Sequence, residues 1–342
     1  MAGSRRRRLR AGIIGALAVS LSLLLGACGA LGTEDDRRLA EDLAEKHVPG
    51  QLEVIGARTL FPGTGGSEIT FSVTDDRDAV VRLGVDSETG RCNFEACAQA
   101  MADAITRGRA DAGDSRVLRS TFKDCGYEVI AVDPAGGAPY VVARPTNSTV
   151  TQVITEVGAC VQRWVAAGGY RGPLAGKGGA AVNLVSPGVA EHRAVGRRSW
   201  PTTMRLSHSG LLASLGERPY YSVGYAIAGG RVDTRGRARI VRPFELKEEF
   251  ARTVEEAVRR RLSSTYPQVR TTVYPGVWQL EPGTVDRQTG YVLFCERPAG
   301  KKLCLGDHAV VVTTDVRGEP SGELRMVSDI REDGGALRLP PL

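Results

Sequence analysis

The chain has 342 residues, with 45 Lys or Arg against 39 Asp or Glu, a net charge of +6. Arg5, Arg6, Arg7, Arg8 and Arg10 supply most of that excess, because beyond residue 10 there are 40 basic and 39 acidic residues, a net charge of +1. A body so nearly neutral excludes a protein that coats nucleic acid through general basicity. A composition of 42% hydrophobic and 25% charged residues excludes disorder and collagen-like repetition, and the length suits two domains.

The N-terminus comes first. After the arginines, Ala11 to Leu25 are fifteen uncharged residues, ending in Leu25-Gly26-Ala27-Cys28. As a helix they rise about 22 Å, short of the roughly 30 Å hydrocarbon core, which argues against a permanent span. Gly26 and Ala27 let a peptidase approach the backbone, and Cys28 supplies a thiol for a thioether to diacylglycerol. This segment resembles a bacterial lipoprotein signal peptide. The resemblance implies cleavage between Ala27 and Cys28, lipidation of Cys28, and a mature protein on the extracytoplasmic face of the cell membrane. Arginine outnumbers lysine 39 to 6, a skew similar to that of actinobacterial proteins, and the whole resembles their lipoproteins. Two acyl chains hold a protein to a bilayer where one does not.

Six cysteines remain: Cys92, Cys97, Cys125, Cys160, Cys295 and Cys304. An even number outside the cytoplasm reads as three disulfides. Short closures favour Cys92 with Cys97, Cys125 with Cys160, and Cys295 with Cys304 across a hairpin loop.

Along the chain, residues 28–167 form one expected lobe. Thr33 opens a helix through Lys46, with Asp36 three residues on as in a capping box. Strands are expected at 52–60, 69–73 and 81–85 by period-two alternation, then a helix at 94–106 and strands at 127–132 and 140–143. A helix at 148–167 closes the lobe. Residues 168–180 read GGYRGPLAGKGGA, six glycines in thirteen, so residues 168–200 are expected to be a basic linker. In the second lobe, 201–342, strands are expected at 221–227 and 237–241. A helix at 245–262 repeats Phe250, Val254, Val258 and Leu262, and strands at 273–280, 291–297, 303–314 and 324–330 complete a meander. Proline ends a strand at Val241-Arg242-Pro243, as at Ala143-Arg144-Pro145. The expected fold class is α+β: two lobes of antiparallel hairpins and meanders, each packed by helices and supported by disulfides.

Little catalytic chemistry is legible. Ser120-Thr121-Phe122-Lys123 matches the S-x-x-K of penicillin-recognising serine enzymes, with Ser120 as nucleophile and Lys123 as base, but no K-T-G accompanies it. Gly172 to Lys177 is one residue short of a phosphate loop. Cys295, Cys304 and His308 can be read as zinc ligands, although a disulfide accounts for the two cysteines more simply. Asn147-Ser148-Thr149 spells a glycosylation sequon and suits a helix cap.

What remains is a local charge excess. Arg171, Lys177, Arg193, Arg197, Arg198 and Arg205 face only Glu191 between residues 171 and 205, a net +5. Arg235, Arg237 and Arg239 are expected on one strand face. Guanidinium forks suit anions, so these arginines are candidates for an anionic envelope polymer or lipid headgroups, beside a further envelope protein as partner. The expectation is a lipid-anchored protein that binds or scaffolds, with no cofactor, metal, catalytic residue or nucleic acid assigned. A hydrolase using Ser120 and Lys123 is the alternative.

Overall fold

A computed structural model of the protein describes residues 33–60, 65–92, 96–168, 178–274, 278–296, 306, 308–328, 330–331 and 335–342. The signal segment, with Ala27 and Cys28, lies outside the described residues, as do Cys304 and the residues of the near-phosphate-loop motif. The fold is α+β, with helices packed on mainly antiparallel sheets. No described helix is long and apolar enough to cross a membrane. The chain divides into two compact units: residues up to Ser115 with Ser199–Met204, and Arg116–Arg198 with Arg205–Leu342.

In the first unit, helix α1 (Glu34–His47) packs on an antiparallel sheet of β1 (Leu52–Thr59), β2 (Ser67–Val73), β3 (Asp76–Asp86) and β4 (Arg91–Cys92), in that order. The alternation read from the sequence has its cause here: Val81, Leu83 and Val85 of β3 join Ile69, Phe71 and Val73 of β2 in one core, with Ala40 and Ala44 of α1. Thr33 is the α1 N-cap but makes no side-chain capping bond. Asp36 is turned away from the expected capping box. Its buried carboxylate accepts from the Ser67 hydroxyl and the Ser87 N–H, each at 2.7 Å, tying the helix start to the sheet.

Helix α2 is Cys97–Asp124, 28 residues long, and crosses the division between the units. The sequence-based helix at 94–106 falls short because Gly108 and Gly113 break the expected pattern. Ala104, Gly108 and Ala112 instead form a small-residue line along the helix. A Cβ on Gly108 would lie 2.7 Å from the Val80 carbonyl oxygen, so glycine is what lets the helix lie close on β3.

The second unit holds two sheets. In the first, the order is β10 (Arg237–Val241), β8 (Tyr220–Ala228), β7 (Gly179–Val185), β6 (Pro139–Val142) and β5 (Val129–Val132), with β9 (Arg231–Val232) paired to β8. Strand β7 corrects the domain boundaries expected from the sequence. The supposed linker contains a strand hydrogen-bonded to β6 on one side and β8 on the other, joining residues assigned to separate lobes. Its glycines read as a spacer, yet Ala180, Val182, Leu184 and Val185 are buried. The β6–β7 pair is parallel, so this sheet is mixed, and helix α3 (Val150–Ala166) lies between the two strands in sequence. Three short helices follow β7: α4 (Pro187–Glu191), α5 (Thr202–Ser207) and α6 (Ser209–Gly216).

The second sheet runs β11 (Arg270–Val273), β13 (Arg287–Cys295), β14 (His308–Asp315) and β15 (Pro320–Val327), with β12 (Gln279–Leu280) also paired to β13. The expected strand at 273–280 is thus two strands. Period-two alternation sorts β13 and β14 between two buried faces. Val292, Phe294, Val310 and Val312 meet Phe250, Val254, Val258 and Leu262 of helix α7 (Phe244–Leu262). On the other face, Tyr291, Leu293, Ala309 and Val311 pack with Ile330 and the terminal Leu337, Leu339 and Leu342. Each such side chain contributes roughly 1.5–3 kcal/mol when fully buried.

Two disulfides join described residues. Cys92–Cys97 ties the end of β4 to the start of α2, and Cys125–Cys160 ties the residue after α2 to α3. These are the pairs favoured by short closure. Cys295 is also disulfide-bonded.

Candidate functional site

A cleft of about 660 Å³ lies in the second unit, where β8, β10, α7 and the β14–β15 turn converge. Each wall follows from local structure. Tyr221 and Ile240 are cross-strand partners on β8 and β10, and Tyr220 stands opposite Val241. Pro243 ends β10 and serves as the N-cap of α7. Leu246, Glu249, Phe250 and Thr253 then fall at i, i+3, i+4 and i+7, one helical face, and all four line the cleft. The fourth wall is Val316, Arg317 and Glu319. Asp315 shapes that turn, its Oδ1 accepting from the N–H groups of Arg317 at 2.8 Å and Glu319 at 2.9 Å. Gly318 adopts φ +93°, and a Cβ there would lie 2.9 Å from the Phe250 carbonyl oxygen, so only glycine brings the turn so close to α7.

Arg242 is the principal polar group of the cleft. Its Nη1 donates to Gln288 Oε1 and its Nη2 to the Val316 carbonyl, both at 3.1 Å, and the guanidinium carbon sits 4.1 Å from the Phe250 ring centroid. All three partners are neutral. Burial therefore dominates and lowers the guanidinium's affinity for its proton, to a pKa of about 10. Behind it, Gln288 is fully buried, and its Nε2 has no hydrogen-bond partner among the described residues. Tyr221 donates to the Val285 carbonyl at 3.2 Å. Burial, then the charge of Asp286, pushes its phenol up. Phe250 also meets Trp278 edge to face at 5.0 Å.

The sequence marked Arg242 only as a strand end. A basic residue between a strand and Pro-Phe, with Leu246 and Phe250 on the following helix, was the available signal. Its significance comes from Tyr220 and Tyr221, some twenty residues earlier, and Val316, some seventy later.

The arginines singled out from the sequence are dispersed over several elements. Arg193 follows α4, reaches the Ala190 carbonyl and pairs with Glu128 at 3.4 Å. Arg197 and Arg198 are exposed, and Arg205 lies half-buried in α5. Arg237 and Arg239 share the exposed face of β10 by alternation. Arg235 does not join them: it sits in the preceding turn, where it forks onto Asp233 at 3.0 and 3.1 Å.

The nucleophile and base of the alternative reading occupy the last turns of α2. Both Ser120 and Lys123 are exposed, and Ser120 Oγ donates to the Val117 carbonyl at 3.1 Å. A serine of that enzyme class opens its helix, whereas Ser120 stands near the end of one. The zinc reading fails because disulfide-bonded Cys295 cannot offer a thiolate, while His308 pairs with Glu296 at 3.3 Å. Asn147 does not cap α3: the N-cap is Thr149, and Asn147 Oδ1 accepts from the Val285 N–H at 2.8 Å. No protein-family model matches the chain, and neither a curated protein nor a solved structure matches it.

Proposed function

We propose that the protein is a lipid-anchored component of the cell envelope, held at the extracytoplasmic face of the membrane by acyl chains on Cys28, which acts by binding through the Arg242 cleft. The observation that carries the binding role is a guanidinium fixed in a largely apolar concavity by neutral partners, with donors still available to a ligand. A volume of about 660 Å³ falls within the range of small-molecule sites, roughly 300–1,000 Å³. The Leu25-Gly26-Ala27-Cys28 box supports the address, and the disulfides accord with an oxidising compartment.

Only Gly29 to Gly32 separate Cys28 from Thr33, a tether of about five residues reaching at most roughly 17 Å. The first unit is therefore expected close to the bilayer. The exposed Arg197 and Arg198, with Arg237 and Arg239, would supply secondary contacts to lipid headgroups, an anionic envelope polymer or a neighbouring envelope protein. The test is detergent partitioning of cells expressing the full chain. Wild type should enter the detergent phase, and Cys28→Ala should leave it or accumulate unprocessed. Equal, processed membrane retention of both would remove lipidation from the account.

A further inference from the structure

The geometry points to a small organic monocarboxylate with an aromatic or branched aliphatic body as the ligand of the cleft, its carboxylate taken by Arg242. This rests on the binding role proposed above and goes further by naming the ligand class. Three observations support it.

The first is the state of Arg242. Glu249 and Glu319 line the same cleft, yet neither pairs with it, and its hydrogen bonds engage Nη1 and Nη2 once each. A guanidinium carries five N–H donors, so three remain without a partner among the described residues. A half-buried cation held by neutral groups lacks the anion that would offset its desolvation. Its position is nonetheless fixed from three sides by Gln288, the Val316 carbonyl and the Phe250 ring. A planar carboxylate matches such a fork in two parallel hydrogen bonds.

The second is the wall chemistry. Tyr221, Ile240, Leu246, Phe250 and Val316 line the cleft with Arg242, and Leu246 and Val316 are 41% and 43% exposed. Large apolar side chains left open beside an arginine suit a ligand with an apolar body. The third is the charge of the cleft. Arg242 and Arg317 are balanced by Glu249 and Glu319, so the cleft has no net positive charge to hold a dianion, and a phosphate dianion would be repelled by the two carboxylates about twice as strongly as a single carboxylate. This favours a monocarboxylate over a phosphate.

The experiment uses residues Gly29 to Leu342, which include every described residue. Phenylacetate is the probe, with phenylacetamide as its neutral counterpart and inorganic phosphate as a bare anion. Tryptophan fluorescence reports occupancy, because Trp278 contacts Phe250. Phenylacetate should bind saturably, and phenylacetamide and phosphate each at least about tenfold more weakly, since a charge-assisted pair is worth one to two decades in affinity. Arg242→Gln should lose about the same factor, and Arg242→Lys should retain part of it. Arg242 also braces the turn, so the exposed Leu246→Glu gives an independent arm: it should weaken both ligands through the lost apolar contact, and phenylacetate more than phenylacetamide through the added negative charge.

Equal binding of acid and amide, both indifferent to Arg242→Gln but altered by Leu246→Glu, would overturn the carboxylate while leaving the cleft as a binding site. Phosphate binding as well as phenylacetate would overturn the apolar body. No saturable binding of any probe, with wild-type protein folded, would overturn the inference. Binding insensitive to both variants would remove the cleft itself, and with it the binding reading above.

Discussion

Replacing Asp36 by alanine tests how the first unit is held together. The carboxylate is 3% exposed and accepts two hydrogen bonds of 2.7 Å, from Ser67 Oγ and the Ser87 N–H. Burial alone would raise its pKa, but these bonds outweigh burial and hold it below the ordinary 3.8. Each bond to a charged acceptor contributes about 1.5–3 kcal/mol, and the first-turn position on α1 adds about 0.3–1 kcal/mol. Against this stands the carboxylate's own desolvation. Ser87 can turn to water in the variant, whereas Ser67 is fully buried and loses its acceptor, so a net loss of about 3 kcal/mol is expected. The pH dependence follows from the direction of the shift. With the folded pKa below the unfolded one, this stabilisation is fully present above the unfolded value and is lost as pH falls through the folded value. Urea denaturation of wild type, Asp36→Ala and Asp36→Asn should show the largest gap at neutral pH, narrowing below about pH 4. Asp36→Asn, which keeps one acceptor oxygen, should lie between. A variant as stable as wild type at neutral pH, or a gap that widens on acidification, would refute the reasoning.

Gly108→Val should destabilise by about 1–3 kcal/mol or more, because the added Cβ meets the Val80 carbonyl 2.7 Å away; denaturation midpoints report it. Gly318→Ala should cost about 1–3 kcal/mol through its positive φ and the Phe250 carbonyl, and should weaken phenylacetate binding by displacing Val316; calorimetry measures the first and fluorescence titration the second. Cys125 and Cys160 are separated by 35 residues, so replacing both with alanine should remove about 3–4 kcal/mol, and non-reduced peptide mapping should recover both described pairs. For the surface arginines, Gly29 to Leu342 should sediment weakly with anionic vesicles at low salt. Arg197→Glu with Arg198→Glu should abolish that; unchanged sedimentation would remove these residues from membrane contact.

Most elements were legible because each buries a periodic face. Ile69, Phe71 and Val73 announce β2 by alternation, and Phe250, Val254, Val258 and Leu262 announce α7 by their fourfold spacing. The misreadings of α2 and β7 share a cause, which is that glycine was taken as punctuation. In α2, Gly108 is a contact that admits Val80, and in β7 the glycines adjoin a strand buried at the centre of a sheet. Neither is visible from local sequence, because the neighbours that require the small residue lie elsewhere in the chain. The Arg242 cleft was less legible still. Its arginine looked like a strand terminus and its tyrosines like strand residues, and only the pairing of β8 with β10 beneath α7 brings them together. The surface arginines stood out in the sequence because they cluster there, whereas the structure distributes them over the segment after α4, α5, β10 and the turn before β10.

The central claim is an envelope protein anchored at Cys28, and the mass of its N-terminal peptide tests it most directly. Protein extracted from membranes of expressing cells should yield a peptide beginning at Cys28 and carrying the mass of a thioether-linked diacylglyceryl group, with residues 1–27 gone. An unmodified Cys28 in the extracted protein, or a peptide that still begins in the arginine-rich leader, would contradict it.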